Sequence, residues 1–120
     1  DDWEDRYRYV IDLGKALPPM DDALKTPATK VDGCASQVWL HPSRDGGRID
    51  FEGDSDAMIV KGLIAVLRSL YGRKTPQEIL AIDPQGALGK LGLDQALSSQ
   101  RSNGLRAMVA RLREIAAEEA

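Results

Sequence analysis

Two residue types that build most metal centres and many hydrolytic sites are nearly missing from this chain. Its 120 residues include one cysteine, Cys34, and one histidine, His41. A single cysteine excludes an intramolecular disulfide and a cysteine-rich zinc site, and a single histidine excludes a multi-histidine metal centre. A lone free thiol fits a reducing compartment better than a secreted one, so a cytoplasmic location is expected. Long apolar runs are also lacking. No segment reaches the 18 or so consecutive apolar residues of a membrane span. The opening Asp1-Asp2-Trp3-Glu4-Asp5 is acidic and has no signal-peptide core. An excess of either charge is lacking too: 16 basic residues against 19 acidic ones leave a net charge of −3. That balance offers no basic footprint for nucleic acid.

What remains is ordinary globular composition, 42% hydrophobic and 29% charged, which argues against disorder. One domain over residues 1–120 is expected. Area scaling buries about two-thirds of such a chain, enough for a core without disulfides or a structural metal.

Periodicity sets the order of elements. Trp3, Tyr7, Val10 and Ile11 fall on one helical face. Pro18-Pro19 stops that helix, and Trp3, Tyr7 and Tyr9 are expected in the core and its rim. Residues 18–30 read as an extended connection with a short helical turn near Asp21–Leu24. Ser36–His41 and Arg48–Glu52 alternate around Asp45-Gly46-Gly47, a hairpin signal. Val38 and Leu40 are expected on one face of it and Trp39 on the other. A third short strand near Lys30–Asp32, or a helix cover, should complete the layer. Ser55 reads as the N-cap of a helix over 57–71, with Asp56 in its first turn and Gly72 at the C′ position. Gly62 inside that helix signals close packing. Thr75-Pro76-Gln77-Glu78 is a capping box with proline at the first helical position. Asp83-Pro84 repeats the signal for a short helix ending near Gly92. Ser98 or Ser99 opens a last helix with the apolar stripe Leu105, Met108, Val109, Leu112, Ile115 and Ala116. Arg106, Arg111 and Arg113 lie off the stripe. The arrangement is α+β.

Few residues can carry chemistry. Cys34 sits between Gly33 and Ala35, with polar residues beyond them, which is unlike a core strand or helix position. Two readings stay open: a small buried hydrophobe, or a reactive loop thiol whose small neighbours admit a large partner. A Cys–His hydrolase needs a base near the thiol. His41 lies seven residues on, roughly 23 Å away along an extended strand, and reads better as an exposed turn-flanking residue. Asp54 and Asp56 read as capping groups. Arg101 opens the last helix, where the dipole disfavours a cation, so a partner is a reason for it to be there.

The run Val31-Asp32-Gly33-Cys34-Ala35-Ser36-Gln37-Val38-Trp39 resembles the cysteine motif of the SufE family, the cysteine desulfuration proteins of iron–sulfur cluster assembly, to which CsdE also belongs. Gly53-Asp54-Ser55-Asp56-Ala57, Ile59–Val66, Thr75-Pro76 and Arg101-Ser102-Asn103-Gly104-Leu105 continue it in the family's order. The chain is shorter than the family at its N-terminus, where another helix is expected. The resemblance implies helices packed on a small curved antiparallel sheet, as in IscU-type scaffolds. It implies that Cys34 accepts sulfane sulfur from a SufS-type cysteine desulfurase, stimulates that enzyme, and passes the sulfur to a SufB-type scaffold. Gly33, Ala35, Ser36 and Gln37 would form the loop, with Asp56 and Arg101 near it or at the desulfurase interface. No cofactor is expected in the chain itself, since pyridoxal phosphate belongs to the desulfurase. Neither nucleic acid nor membrane is an expected partner. The other reading is an interaction or scaffold module in which Cys34 is chemically silent. A cluster-holding role is disfavoured, because clusters need several thiolates.

Overall fold

The two-residue alternation around Trp39 and Phe51 does produce a hairpin, and helices pack on it. The computed structural model describes residues 2–34, 36–90 and 99–119, with the backbone alone at 2, 3, 87, 88, 90 and 99–102. The described elements are α1 (Asp2–Ala16), a single 3-10 turn (Asp22–Leu24), β1 (Val38–Asp45), β2 (Arg48–Ser55), α2 (Met58–Tyr71), α3 (Pro76–Ala81), α4 (Pro84–Lys90) and α5 (Ser99–Glu119). The fold is α+β, a two-stranded antiparallel sheet with several helices. The expected helix end at Gly92 and the Ser98 start lie outside the described residues.

Both strands run longer than the alternation suggested, in register from Val38↔Ser55 to Asp45↔Arg48. Gly46 and Gly47 make the turn with φ of 58° and 80°, backbone that glycine adopts at no steric cost. Val38, Leu40, Ile49 and Phe51 are buried, whereas Trp39 is partly exposed. Pro42 is tolerated because of where its missing donor falls. The Leu40 N–H points away from β2 and donates to Thr29 O at 2.8 Å. By the same two-residue period, position 42 faces the outer edge of the sheet. On β2, the Ile49 N–H goes to Lys74 O at 2.8 Å. The Phe51 and Ser55 N–H groups go to the carboxylates of Asp50 and Asp54 at 2.9 and 2.8 Å.

Of the two expected completions of the layer, the helix cover forms and the third strand does not. Lys30 makes an isolated bridge with Trp39, and the chain then turns away at Asp32-Gly33, where Gly33 has φ 90°.

α2 is the centre of the core, with Ile59, Val60, Leu63, Ile64, Val66, Leu67 and Tyr71 buried. It covers the hairpin and carries α1 on another face. Gly62 is the point of closest approach: a Cβ there would lie 1.9 Å from Val10 O. This face of α1 is set by Val10, which is 2% exposed. The expectation for the tyrosines is therefore corrected: Tyr7 is 37% and Tyr9 63% exposed, since Tyr9 lies a quarter-turn from Val10. The side chain of Trp3 lies outside the described residues.

Two caps also differ from expectation. Ser55 still belongs to β2, and Ala57 is the N-cap of α2, without a side-chain cap bond. Asp56 precedes the helix rather than entering its first turn. At the other end Gly72 is extended (φ −69°), and Arg73 takes the left-handed conformation (φ 58°). The Thr75–Glu78 capping box forms in both directions, at 3.2 and 2.9 Å.

All six apolar stripe residues of α5 are buried. Arg113, off that stripe, is not merely solvated. It donates to Leu80 O and Ile82 O at 3.2 and 3.3 Å, satisfying the C-terminal carbonyls of α3.

Asp54 corrects the capping assignment most clearly. It is 4% exposed. Its carboxylate pairs with Lys25 at 3.2 Å and Lys61 at 3.5 Å, and accepts from the Met20 N–H at 3.3 Å. Lys25 also stands over the Trp39 ring, 5.3 Å from its centroid. One buried carboxylate thus ties the 18–30 connection to β2 and α2.

Candidate functional site

The connection held by Asp54 leads into the cysteine loop. The chain leaves the sheet after Val31 and returns at Val38, and the base of this loop is closed by the Val31 N–H donating to Val38 O at 2.8 Å. The second leg is pinned to the end of β2. Gln37 N–H donates to Asp56 Oδ1 at 3.1 Å. Gln37 O accepts from Ser55 Oγ at 2.7 Å and from the Asp56 N–H at 3.3 Å. Ser36 is partly buried, while Gln37 and Asp56 are exposed.

Cys34 sits within this loop, partly buried, against the first half of α5. Its Sγ donates to Gly104 O at 3.7 Å. A Cβ on Gly104 would lie 3.6 Å from that sulfur, and a Cβ on Gly33 would lie 3.5 Å from Ala107 Cβ. Burial pushes the thiol pKa up, and the Asp32 carboxylate pushes it further in the same direction. An unperturbed thiol is a few per cent ionised at pH 7, and Cys34 at rest is less so. The two readings left open by the sequence therefore meet in one residue: the thiol belongs to a loop, and it faces inward.

The structure brings Gly33, Cys34, Ser36, Gln37 and Asp56 into one patch. Ala35 lies outside the described residues. Arg101 stands on α5 one turn before Gly104, with only its backbone described. His41 is not part of the patch. β1 carries it away from the loop base at Val38 by about 10 Å, opposite Glu52. A hydrolytic base would have to lie within hydrogen-bond reach of the thiol, and the thiol's partner is Gly104 O. Among the described residues no group of three His, Cys, Asp or Glu side chains could hold a metal ion. No described helix is long and apolar enough to cross a membrane.

Three features of the site need the fold to be seen. Gly104 meets the thiol, and Ala107 faces Gly33, from 70 or more residues away in sequence; a glycine inside a helical pattern is the only local signal for this. Asp32 acts on the thiol from the preceding turn. Asp54 fixes the first leg through Met20 and Lys25. Gly104 also gives a check. The added methyl of Gly104→Ala meets ordinary contact distances, so this variant is expected to gain up to about 1 kcal/mol from helix propensity. A urea titration measures it, and a loss of stability would contradict the described seat of the loop on α5.

Comparison with known proteins agrees with this geometry. Residues 1–116 match the family described as SufE: Fe-S metabolism associated domain. The chain is 58% identical over 118 residues to an uncharacterized SufE-like protein of Rhizobium etli, covering 95% of this chain and 80% of that protein. It is 51% identical over 117 residues to an uncharacterized SufE-like protein of Rhizobium meliloti, covering 94% and 84%. The solution structure of a hypothetical protein from Thermus thermophilus covers 97% of this chain and 85% of its own, with a TM-score of 0.78 and 22% identity. At that identity the likeness speaks for the fold.

Proposed function

The chain belongs to the SufE family, which gives it a role in Fe–S metabolism, and on that premise we propose that Cys34 is a sulfur acceptor and carrier. In this reading a pyridoxal-phosphate-dependent cysteine desulfurase of the SufS type is the donor. Cys34 takes the terminal sulfur of the donor's persulfide, which relieves and so stimulates the desulfurase, and hands it to a SufB-type scaffold. The observation that carries the reading is the chain's single thiol, on the loop between Val31 and Val38 with small Gly33 before it and Gly104 packed against it.

The transfer needs no oxidant. The Cys34 thiolate attacks the outer sulfur of the donor cysteine persulfide. A sulfur–sulfur bond forms to Cys34 as the donor's own sulfur–sulfur bond breaks, and the donor cysteine leaves as a thiolate. The proton lost by Cys34 balances the one the donor thiolate regains. This is thiol–disulfide exchange chemistry. It asks for access and ionisation rather than for a histidine base. The chemistry that releases sulfur from cysteine belongs to the desulfurase, and this chain supplies only the acceptor. Such a thiol works in a reducing compartment, the cytoplasm in this reading.

The raised pKa and inward thiol favour a second reading, a docking module with a silent Cys34. Intact-mass spectrometry separates the two. With a cognate desulfurase and L-cysteine, adducts of about 32 Da per sulfur are expected, removed by reductant and absent in Cys34→Ser. Cys34→Ser should lose stimulation of the desulfurase and keep docking. An active desulfurase that leaves the wild-type mass unchanged would select the silent module.

A further inference from the structure

We propose that Asp32 makes the Cys34 loop charge-selective, turning away carboxylate-bearing small persulfides and disulfides and favouring a sulfur donor presented from a cationic protein surface. The inference rests on the reading of Cys34 as a sulfur acceptor, and it concerns which donors that acceptor admits.

Asp32 is exposed and lies two residues before Cys34, so their Cα atoms are within about 7.6 Å. The turn at Gly33, with φ 90°, lets the two side chains part. The carboxylate stays in solvent while the thiol is received by α5 at Gly104. Among the described residues no ion pair neutralises Asp32. The other exposed carboxylate of the patch, Asp56, has one oxygen committed to the Gln37 N–H. Three cations belong to the elements next to the loop. Lys30 lies at the loop base beside Trp39. Arg106 is exposed on α5, and Arg101 lies one turn before Gly104. A molecule that reaches the sulfur from solvent therefore comes within range of the Asp32 charge, which acts on the thiol itself.

The field acts twice. An attacking thiolate and Asp32 together repel an anionic reagent. Asp32 also favours the protonated thiol, which slows reagents of every charge equally. A cationic partner face removes both effects on docking, so recognition and activation of the thiol coincide. Small carboxylate-bearing sulfur compounds cannot do this and are held off.

The test separates the two effects by using reagents that differ in charge. Second-order rates are measured for Cys34 in the full chain with dianionic 5,5′-dithiobis(2-nitrobenzoate), neutral 4,4′-dithiodipyridine and dicationic cystamine. At low ionic strength Asp32→Asn is expected to speed the dianion about fivefold more than the neutral reagent, and to slow cystamine relative to it by a similar factor. The spread should collapse near 0.5 M salt, where the Debye length falls to about 4 Å. Asp32→Glu keeps the charge and should restore the wild-type order, which a merely structural role for Asp32 would not do. One common factor for all three reagents, or no change, overturns the proposal. No desulfurase is present, so that failure stands apart from an absent persulfide adduct.

Discussion

Gly62→Ala is expected to cost about 2–4 kcal/mol of folding stability and to lower the melting temperature by roughly 10 °C, while Gly62→Val should not fold. The added Cβ would meet Val10 O at 1.9 Å and Val10 Cγ1 at 2.6 Å. The first of these is backbone, so no side-chain rotation relieves it. α1 would have to withdraw by about 1.5 Å to restore ordinary contact, opening the seam between α1 and α2 along its length. Alanine's better helix propensity returns only about 1 kcal/mol, so the clash wins. Thermal and urea unfolding of Gly62→Ala beside Gly104→Ala makes the comparison internal. The same chemical change in two helices is expected to have opposite signs. Equal stability of Gly62→Ala and wild type would mean that α1 does not sit on α2 as described.

Asp54→Ala is expected to lose about 2–4 kcal/mol near pH 6. The substitution removes a buried acceptor shared by Lys25, Lys61 and the Met20 and Ser55 N–H groups. Burial by itself would raise the Asp54 pKa. The Ser55 N–H, Lys25, the Met20 N–H and Lys61 outweigh it, and the pKa is lowered. A carboxyl whose folded pKa lies below its unfolded value stabilises fully above the unfolded value, near pH 4, and loses that contribution as pH falls through the folded one. Asp54→Asn keeps acceptor capacity for the N–H groups and gives up the charge. Its deficit against wild type, taken from urea midpoints, should therefore be largest at pH 6 and shrink below pH 3. A deficit independent of pH would remove Asp54 as the depressed carboxylate. The loosened 18–30 connection should also raise the rate at which Cys34 reacts with a neutral disulfide, because that connection is the first leg of the cysteine loop.

These residues show what the sequence conveys and what it withholds. The hairpin, the apolar faces of α2 and α5, the capping box at Thr75 and the tight glycine at 62 are all written in neighbours within a few positions, where period and cap chemistry are decisive. Local pattern does not place Tyr9, because α1 offers several aromatics and only contact with Gly62 picks the buried face. Nor does it reveal the buried role of Asp54, because an aspartate after a strand and before a helix reads as a cap. Its partners Lys25 and Met20 are about 30 residues away in the chain, where no local pattern reaches. The candidate site divides the same way. Small neighbours and the family resemblance mark Cys34 and its loop. The inward direction of the thiol depends on Gly104, 70 residues downstream, and the weight of Asp32 depends on a turn that replaces the expected third strand.

A sheet of two strands cannot hide its own margins, and such margins invite strand addition from other molecules. Here four of the outward donors that would template it are already taken within the chain. Thr29 receives the Leu40 N–H and Lys74 receives that of Ile49. Asp50 and Asp54 fold back onto the N–H groups of Phe51 and Ser55. Pro42 has no N–H to offer at the position where β1 runs beyond its cover, and the next outward position is the charged Arg44. The hairpin beneath the cysteine loop is thus guarded against edge-to-edge association, and contact is directed to side chains rather than to backbone.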